Sequence, residues 1–454
     1  MIAHYEAEQS VLGAMLRSSK ATGTAIERLR PDDFADPANR EVFSAMLTLA
    51  LGSRQVDLVT VDAELTRRGK LDAIGGAGFL IDISQSVPSA ANVEAYIDIV
   101  LEKANLRRLQ AIAEAINRRT AEQGMTADQI IELIEGACND ITSRTQQKDA
   151  GWISGGEAAI MAFEAAEKKP NPIPTGFNEL DDYLCGGLVA TELTIVGARP
   201  GKGKSAFLLT ASINAARNGK HVGYFSLEMS ALQLGQRTLA STSLVSINRQ
   251  RTGSLTDKDW ERMTEGLTEL DESGVSQHLH IYQSYGLTVE RLANIARHAV
   301  QRGEMDLLVV DYIQLLRTTE KTEAERERLG TISKALKQLA LALDIPILTA
   351  AQVRRQSQDD SKKGGRAPTL DELRGSGDLE QDADNVLLIH SPDNPDDPTL
   401  KRITPAHQGI WERAQNASGK PFSVEIAKQR QGANGRTWCL FKPMNMRFYD
   451  DTAS

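Results

Sequence analysis

An all-α N-terminal domain followed by an α/β domain on a parallel-sheet core is the architecture this 454-residue sequence predicts. Two observations carry it. Residues 6–119 repeat apolar positions at the helical period, which gives helices with one buried face. From residue 173 onward short apolar runs alternate with helical patterns. That grammar generates parallel strands flanked by helices, with ligands at the carboxyl ends of the strands.

In the first domain Val11, Leu12, Met15 and Leu16 share one helical face, and Val42, Phe43, Met46, Leu47 and Leu49 repeat the spacing. Asp36-Pro37 opens a turn before that second helix. The run from Val93 predicts a long helix to about residue 119, with Glu102, Lys103, Arg107 and Arg108 on its polar face. His4 is the single histidine here, so no metal site is expected. A small domain for protein contacts is the functional reading, and a plain structural appendage is the alternative.

Between 120 and 172 the pattern weakens. Thr126 caps a short helix over 127–141, and a polar stretch follows at 143–156. Residues 158–169 predict one more helix, with Ile160, Met161 and Phe163 as its apolar edge, stopped by Pro170-Asn171-Pro172. A lone helix cannot bury such an edge by itself. It docks either on its own domain or on a neighbouring subunit, and the residues alone leave both open. The divisions are therefore 1–119, 120–172 and 173–454.

In the last division strands are expected at 193–196, 221–226, 278–282, 306–311, 345–349 and 385–390, and a closing hairpin at 422–427 and 437–441. The first strand leads into Gly197-Ala198-Arg199-Pro200-Gly201-Lys202-Gly203-Lys204-Ser205, and a helical pattern follows. Strand, glycine-rich loop and helix are the context of a phosphate-binding loop. Its backbone N–H groups curl around an anion, and the helix N-terminus adds its positive end. Residues 198–205 are the candidate nucleotide contacts. Lys204 would reach the β- and γ-phosphates of a nucleotide, and Ser205 would take a place on Mg²⁺. Ala198 stands where the first glycine of such loops is usual.

Asp311, at the tip of an apolar strand, is the expected second metal-site group, although many buried strands end in aspartate. Glu228, at the tip of the strand after the loop helix, is the candidate general base. A surface carboxylate favoured by a helix start is the plainer reading of it. Gln352 is a candidate sensor of the γ-phosphate, or an ordinary loop glutamine. Leu373-Arg374-Gly375-Ser376-Gly377 follows a basic stretch of Arg354, Arg355, Lys362, Lys363 and Arg366. Backbone N–H groups plus Arg374 suit phosphodiester contacts that ignore base identity, and a solvated loop is the competing reading. Lys428 and Arg430 end a strand, either solvated or reaching a phosphate in an adjacent subunit.

Composition narrows the class. A net charge of −9 argues against a surface that is basic all over but leaves room for one basic channel. Three scattered cysteines form neither a metal spacing nor a disulfide framework, which suggests a reduced, cytoplasmic setting. No apolar run reaches membrane-spanning length, and no signal peptide is expected at the N-terminus.

Together these motifs resemble the DnaB-type replicative helicases, hexameric enzymes with a RecA-like motor, over nearly the whole chain. The resemblance rests on Glu6-Ala7-Glu8-Gln9-Ser10-Val11-Leu12-Gly13 and Val87-Pro88-Ser89-Ala90-Ala91-Asn92 at the front. In the motor it rests on Gly197-Ala198-Arg199-Pro200, Phe225-Ser226-Leu227-Glu228-Met229, Arg251-Thr252-Gly253, Asp311-Tyr312-Ile313-Gln314-Leu315, Leu379-Glu380-Gln381-Asp382-Ala383-Asp384 and Ala427-Lys428-Gln429-Arg430. It implies an ATP-dependent helicase that moves 5′ to 3′ on single-stranded DNA through a ring. ATP and Mg²⁺ are the implied cofactors. Single-stranded and forked DNA, further copies of the chain, a primase and a helicase loader are the implied partners.

Matched positions carry implied roles: Glu228 as base, Gln352 as the link from nucleotide to DNA, and Arg374, Gly375 and Gly377 as DNA-backbone contacts. Lys428 and Arg430 act on the neighbour's ATP, and the 158–169 helix packs on the adjacent subunit. Departures are Gly201-Lys202 where Ser-Met is frequent, Ser205 for threonine, and Gln283-Ser284-Tyr285-Gly286, which lacks an acidic residue and a proline. With an irregular 390–420 segment they suggest a phage or mobile-element version. Two other classes remain comparators. A filament-forming recombinase would lack the helical front domain, and a nucleotide-binding scaffold would not need Glu228, Asp311 and Arg430 together.

Overall fold

In the computed structural model the described residues are 3–87, 89–121, 130, 134, 153–167, 171–320, 324–353, 366–373, 378–392, 397–400, 403, 407, 409 and 419–450. They fall in two compact units, Met1–Phe163 and Glu164–Ser454. None of the described helices is long and apolar enough to cross a membrane.

The first unit is built from α1 (Tyr5–Arg17), α2 (Ser19–Arg28), α3 (Pro37–Leu51), α4 (Leu58–Arg67), α5 (Gly76–Gln85) and α6 (Val93–Ala121). Val11, Leu12 and Met15 of α1 meet Val42, Phe43 and Met46 of α3 and Ile97 and Val100 of α6 in one core. Asp36 caps α3 by accepting from the Ala38 and Asn39 N–H groups. Pro37 then fills the first helical position, where no donor is needed. Glu8 is buried, yet accepts from the Ala35 and Asp36 N–H groups and the Asn39 amide, so its charge is solvated by protein.

The connecting helix runs over Gly155–Glu167 and is capped reciprocally by Ser154 and Glu157. None of its residues is buried, and Phe163 is 66% exposed. The helix expected over 127–141 lies, but for residues 130 and 134, outside the described residues.

The second unit carries one nine-stranded sheet in the order β3-β2-β4-β5-β1-β6-β7-β8-β9. The strands are β1 (Leu193–Ala198), β2 (Val222–Ser226), β3 (Leu279–Gln283), β4 (Leu307–Asp311), β5 (Ile347–Gln352), β6 (Asn385–His390), β7 (Lys420–Gln429), β8 (Gly435–Lys442) and β9 (Arg447–Asp450). The first six positions in that order pair in parallel, and β6 to β9 pair antiparallel. The expected parallel core is there. The sheet as a whole is mixed, because the expected hairpin joins β6 antiparallel, and β9 extends it by one more strand. With four residues and only Phe448 buried, β9 is too short to show a period in the sequence.

Strands β1, β2, β4 and β6 are buried along their whole length, which is why they read as continuous apolar runs rather than alternations. Helix Lys204–Arg217 covers one face with Phe207 and Leu208, and Phe177, Phe207, Phe422 and Phe448 form an aromatic cluster there. Helices Val289–Gln301 and Glu325–Leu343 cover the other face with Leu292, Ile332 and Leu336.

Candidate nucleotide-binding and hydrolysis site

β1 lies between β5 and β6, and the loop after it opens at the carboxyl edge of the parallel strands. Gly201 and Gly203 have φ of +72° and +80°, a backbone that side-chain-bearing residues rarely adopt. Ala198 is a different case. It is the last residue of β1, fully buried and in register with Gln352, so the strand asks for no glycine there.

The loop bounds a cavity of about 650 Å³. Pro200 to Ser205 line it with Glu228, Arg237, Tyr312 and Gln352, and Lys420, Phe422, Pro443 and Met446 also line it. Lys204, at the start of its helix, places Nζ 3.4 Å from the Ala198 carbonyl and 5.9 Å from the centre of the Tyr312 ring. Burial lowers its pKa, and Asp311 and Glu228 oppose that shift. An entering anion would restore the charge that burial disfavours.

Ser205 Oγ donates to Asp311 Oδ1 at 3.1 Å, and the buried Tyr224 hydroxyl donates to Oδ2 at 2.8 Å. Burial raises the pKa of Asp311, while the two hydroxyls, Arg237 and Lys204 act the other way. The same burial holds the Tyr224 hydroxyl well above its usual range, so it stays a donor. A hydroxyl and a carboxylate joined beside the phosphate loop form a hard oxygen set, which suits Mg²⁺.

Glu228 follows β2, exposed at the cavity rim. Gln352 ends β5, and its backbone is clamped by Gln314: the Gln314 amide donates to the Gln352 carbonyl at 3.2 Å, and the Gln352 N–H donates back at 3.2 Å. Lys428 and Arg430 lie elsewhere. Lys428 Nζ donates to the Ala383 carbonyl at 2.7 Å, and Arg430 pairs with Asp384 at 3.2 Å and donates to the Gln381 carbonyl at 2.6 Å. Asp384 in turn accepts from the Leu193 N–H, at the amino end of β1. The phosphate loop leaves the other end, five strand steps or about 16 Å away. Arg374, Gly375 and Gly377 lie outside the described residues, as do Arg354, Arg355, Lys362 and Lys363.

Three contributors were missed by sequence reasoning: Arg237, Tyr224 and Gln314. Arg237 sits on helix Ala231–Ser243, on the same side as buried Leu234 and Thr238, and a cation on a buried helical row is a signal a sequence can give. Tyr224 and Gln314 give none, since each matters only through the neighbour that folding brings to it.

A glycine loop on a parallel strand, a hydroxyl–carboxylate pair and a rim carboxylate define a nucleoside-triphosphate-hydrolysing motor. The DnaB-like helicase C-terminal domain matches residues 172–450, and the DnaB-like helicase N-terminal domain matches residues 1–102. The chain belongs to the DnaB-like helicases and is an ATP-dependent replicative DNA helicase of the 5′ to 3′ class. It is 36% identical to the replicative DNA helicase DnaB of Geobacillus stearothermophilus, with 96% of this chain and 92% of that one covered. It is 35% identical to the replicative DNA helicase DnaC of Bacillus subtilis, with the same coverage. Among solved structures, a DnaB-like replicative helicase described with its primase interactions shares the fold at a TM-score of 0.69. That match has 24% identity and covers 98% of this chain and 100% of the other.

Proposed function

We propose that the chain assembles as a ring, the hexamer its family implies, with ATP bound between subunits. One observation supports this best: Lys204, Ser205, Glu228 and Gln352 line one cavity, with buried Asp311 bonded to Ser205, while Arg430 is held at the opposite end of β1. An arginine that cannot reach its own phosphate loop is suited to a neighbour's.

In this reading the amides of the 198–205 loop hold the β-phosphate, and Lys204 moves onto the γ-phosphate. Ser205 and Asp311 would hold Mg²⁺, which when bound would supply charge neutralisation for the phosphates. Glu228 accepts the proton of the attacking water, and Lys428 and Arg430 stabilise the charge of transfer from the next subunit. Gln352 passes the state of the γ-phosphate to the 374–377 segment, where Arg374, Gly375 and Gly377 grip single-stranded DNA. Residues 1–119 form a domain for protein contacts, and 120–172 link it to the motor at 173–454. The relative solved with primase interactions supports a primase as partner, and the family supports a loader. A cytoplasmic location follows from replicative work on bacterial DNA.

The test is unwinding of duplexes carrying only a 5′ tail, only a 3′ tail, or a full fork. ATP-dependent release is expected from the 5′-tailed and forked substrates. Lys204→Ala should lower it by roughly a hundredfold or more. Release from the 3′-tailed substrate alone would reverse the polarity. Absence of any ATP hydrolysis would sink the motor reading.

A further inference from the structure

Arg199 belongs to the phosphate loop by sequence, yet it is absent from the residues that line the cavity. Its guanidinium, 12% exposed, pairs instead with Glu372 at 3.2 Å and donates to the Arg366 carbonyl. The other Glu372 oxygen accepts from the Arg366 guanidinium at 2.8 Å, and the Thr369 N–H also donates to this carboxylate, at 3.2 Å. One carboxylate, 16% exposed, is thus shared by the phosphate loop and the segment before Arg374.

Glu372 lies on the short helix Leu370–Leu373, directly before the 374–377 stretch. The same helix abuts the end of β1. A Cβ built on Gly197 would stand at ordinary contact distance, 3.7 Å, from the Leu373 side chain, and its tight neighbour is the Leu388 side chain of β6 at 2.7 Å. A half-buried pair shared by two arginines is stiffer and less screened than an exposed one. A displacement of the loop would pull on this helix through that pair.

We propose that Glu372 is a positioning residue that couples occupancy of the phosphate loop, through Arg199, to the DNA-contacting 374–377 segment. The proposal rests on the reading of that segment as a DNA contact. Glu372 is not among the residues that line the nucleotide cavity. Because coupling between two sites is reciprocal, DNA on the segment must alter nucleotide binding by the same factor.

Glu372→Gln keeps shape and removes charge. In the full-length variant, basal ATP hydrolysis and nucleotide-free affinity for single-stranded DNA should be unchanged. Stimulation of hydrolysis by single-stranded DNA should fall about fivefold or more. Arg199→Gln combined with Glu372→Gln should lose no more stimulation than Arg199→Gln alone, because the two act through one contact. Unaltered stimulation in Glu372→Gln, or additive losses in the double variant, would overturn the coupling. In the unmodified protein a non-hydrolysable ATP analogue should change amide-exchange protection over 366–373. No change there would overturn it as well, without relying on any variant to fold. Arg374→Ala separates the two layers. If it loses DNA affinity while Glu372→Gln keeps normal stimulation, the coupling alone is wrong. If Arg374→Ala binds DNA normally, the loop reading fails and takes the coupling with it.

Discussion

Asp311, the proposed metal-site carboxylate, shows how neighbours hold a buried carboxylate in place. Its carboxylate is buried, and two hydroxyls hold it in place, Ser205 from the loop helix and Tyr224 from β2. Tyr224→Phe removes one donor and leaves that oxygen unsatisfied, a loss of about 1 to 3 kcal/mol in the stability of the motor unit. Denaturant unfolding should show it. The Mg²⁺ needed for half-maximal hydrolysis should rise severalfold, since the metal-competent charged form is less well supported. An unchanged Mg²⁺ requirement would reduce Tyr224 to a packing role.

A second residue works by charge alone. Hydrogen bonds from Arg67 and Arg68 hold the Glu64 carboxyl at about 2, down from 4.5. The folded value lies below the unfolded one, so the stabilisation is full above pH 4.5 and is lost as pH falls from there to about 2. Amide exchange in α4, followed through that window, should separate the native chain from Glu64→Gln above it and merge the two below it. A constant gap at all pH values would mean that shape matters here and charge does not.

Among the elements, the Gly155–Glu167 helix presents Ile160, Met161 and Phe163 to solvent, each more than half exposed. The sequence showed this apolar edge but not what covers it. Phe163→Asp should leave melting of the chain unchanged, since nothing buried is disturbed, and should shift native-mass distributions from rings towards smaller species. Rings that persist in full would mean that the edge packs elsewhere. The core strands were legible because burial on both faces makes a continuous apolar run, and the loop because its glycines meet a backbone demand. β9 was not legible, and neither was Tyr224. β9 is four residues with one buried position, too short for a pattern, and Tyr224 takes its meaning from Asp311, 87 positions further along the chain. The link from Arg199 to Glu372 was hidden for the same reason, because 173 positions separate its ends.

At the scale of the whole molecule, the distance between the two halves of the catalytic set decides how many chains one site needs. Lys204 opens the helix at the carboxyl end of β1, and Arg430 is tethered through Asp384 to its amino end. If Arg430 works on the neighbour's ATP, a chain with Lys204→Ala still offers a good arginine, and a chain with Arg430→Ala still offers a good phosphate loop. Each variant alone should be nearly inactive, the arginine variant by roughly a thousandfold or more. In rings assembled from equal amounts of the two, an Arg430→Ala loop faces a Lys204→Ala arginine at about a quarter of the interfaces, by random placement around a head-to-tail ring. Those interfaces hold both groups, so hydrolysis should return to about that fraction of the native rate. Were Arg430 to serve its own chain, no chain in the mixture would hold both groups, and mixing would restore nothing. Steady-state ATP hydrolysis of the mixture, measured against each parent, therefore counts the subunits that make one active site.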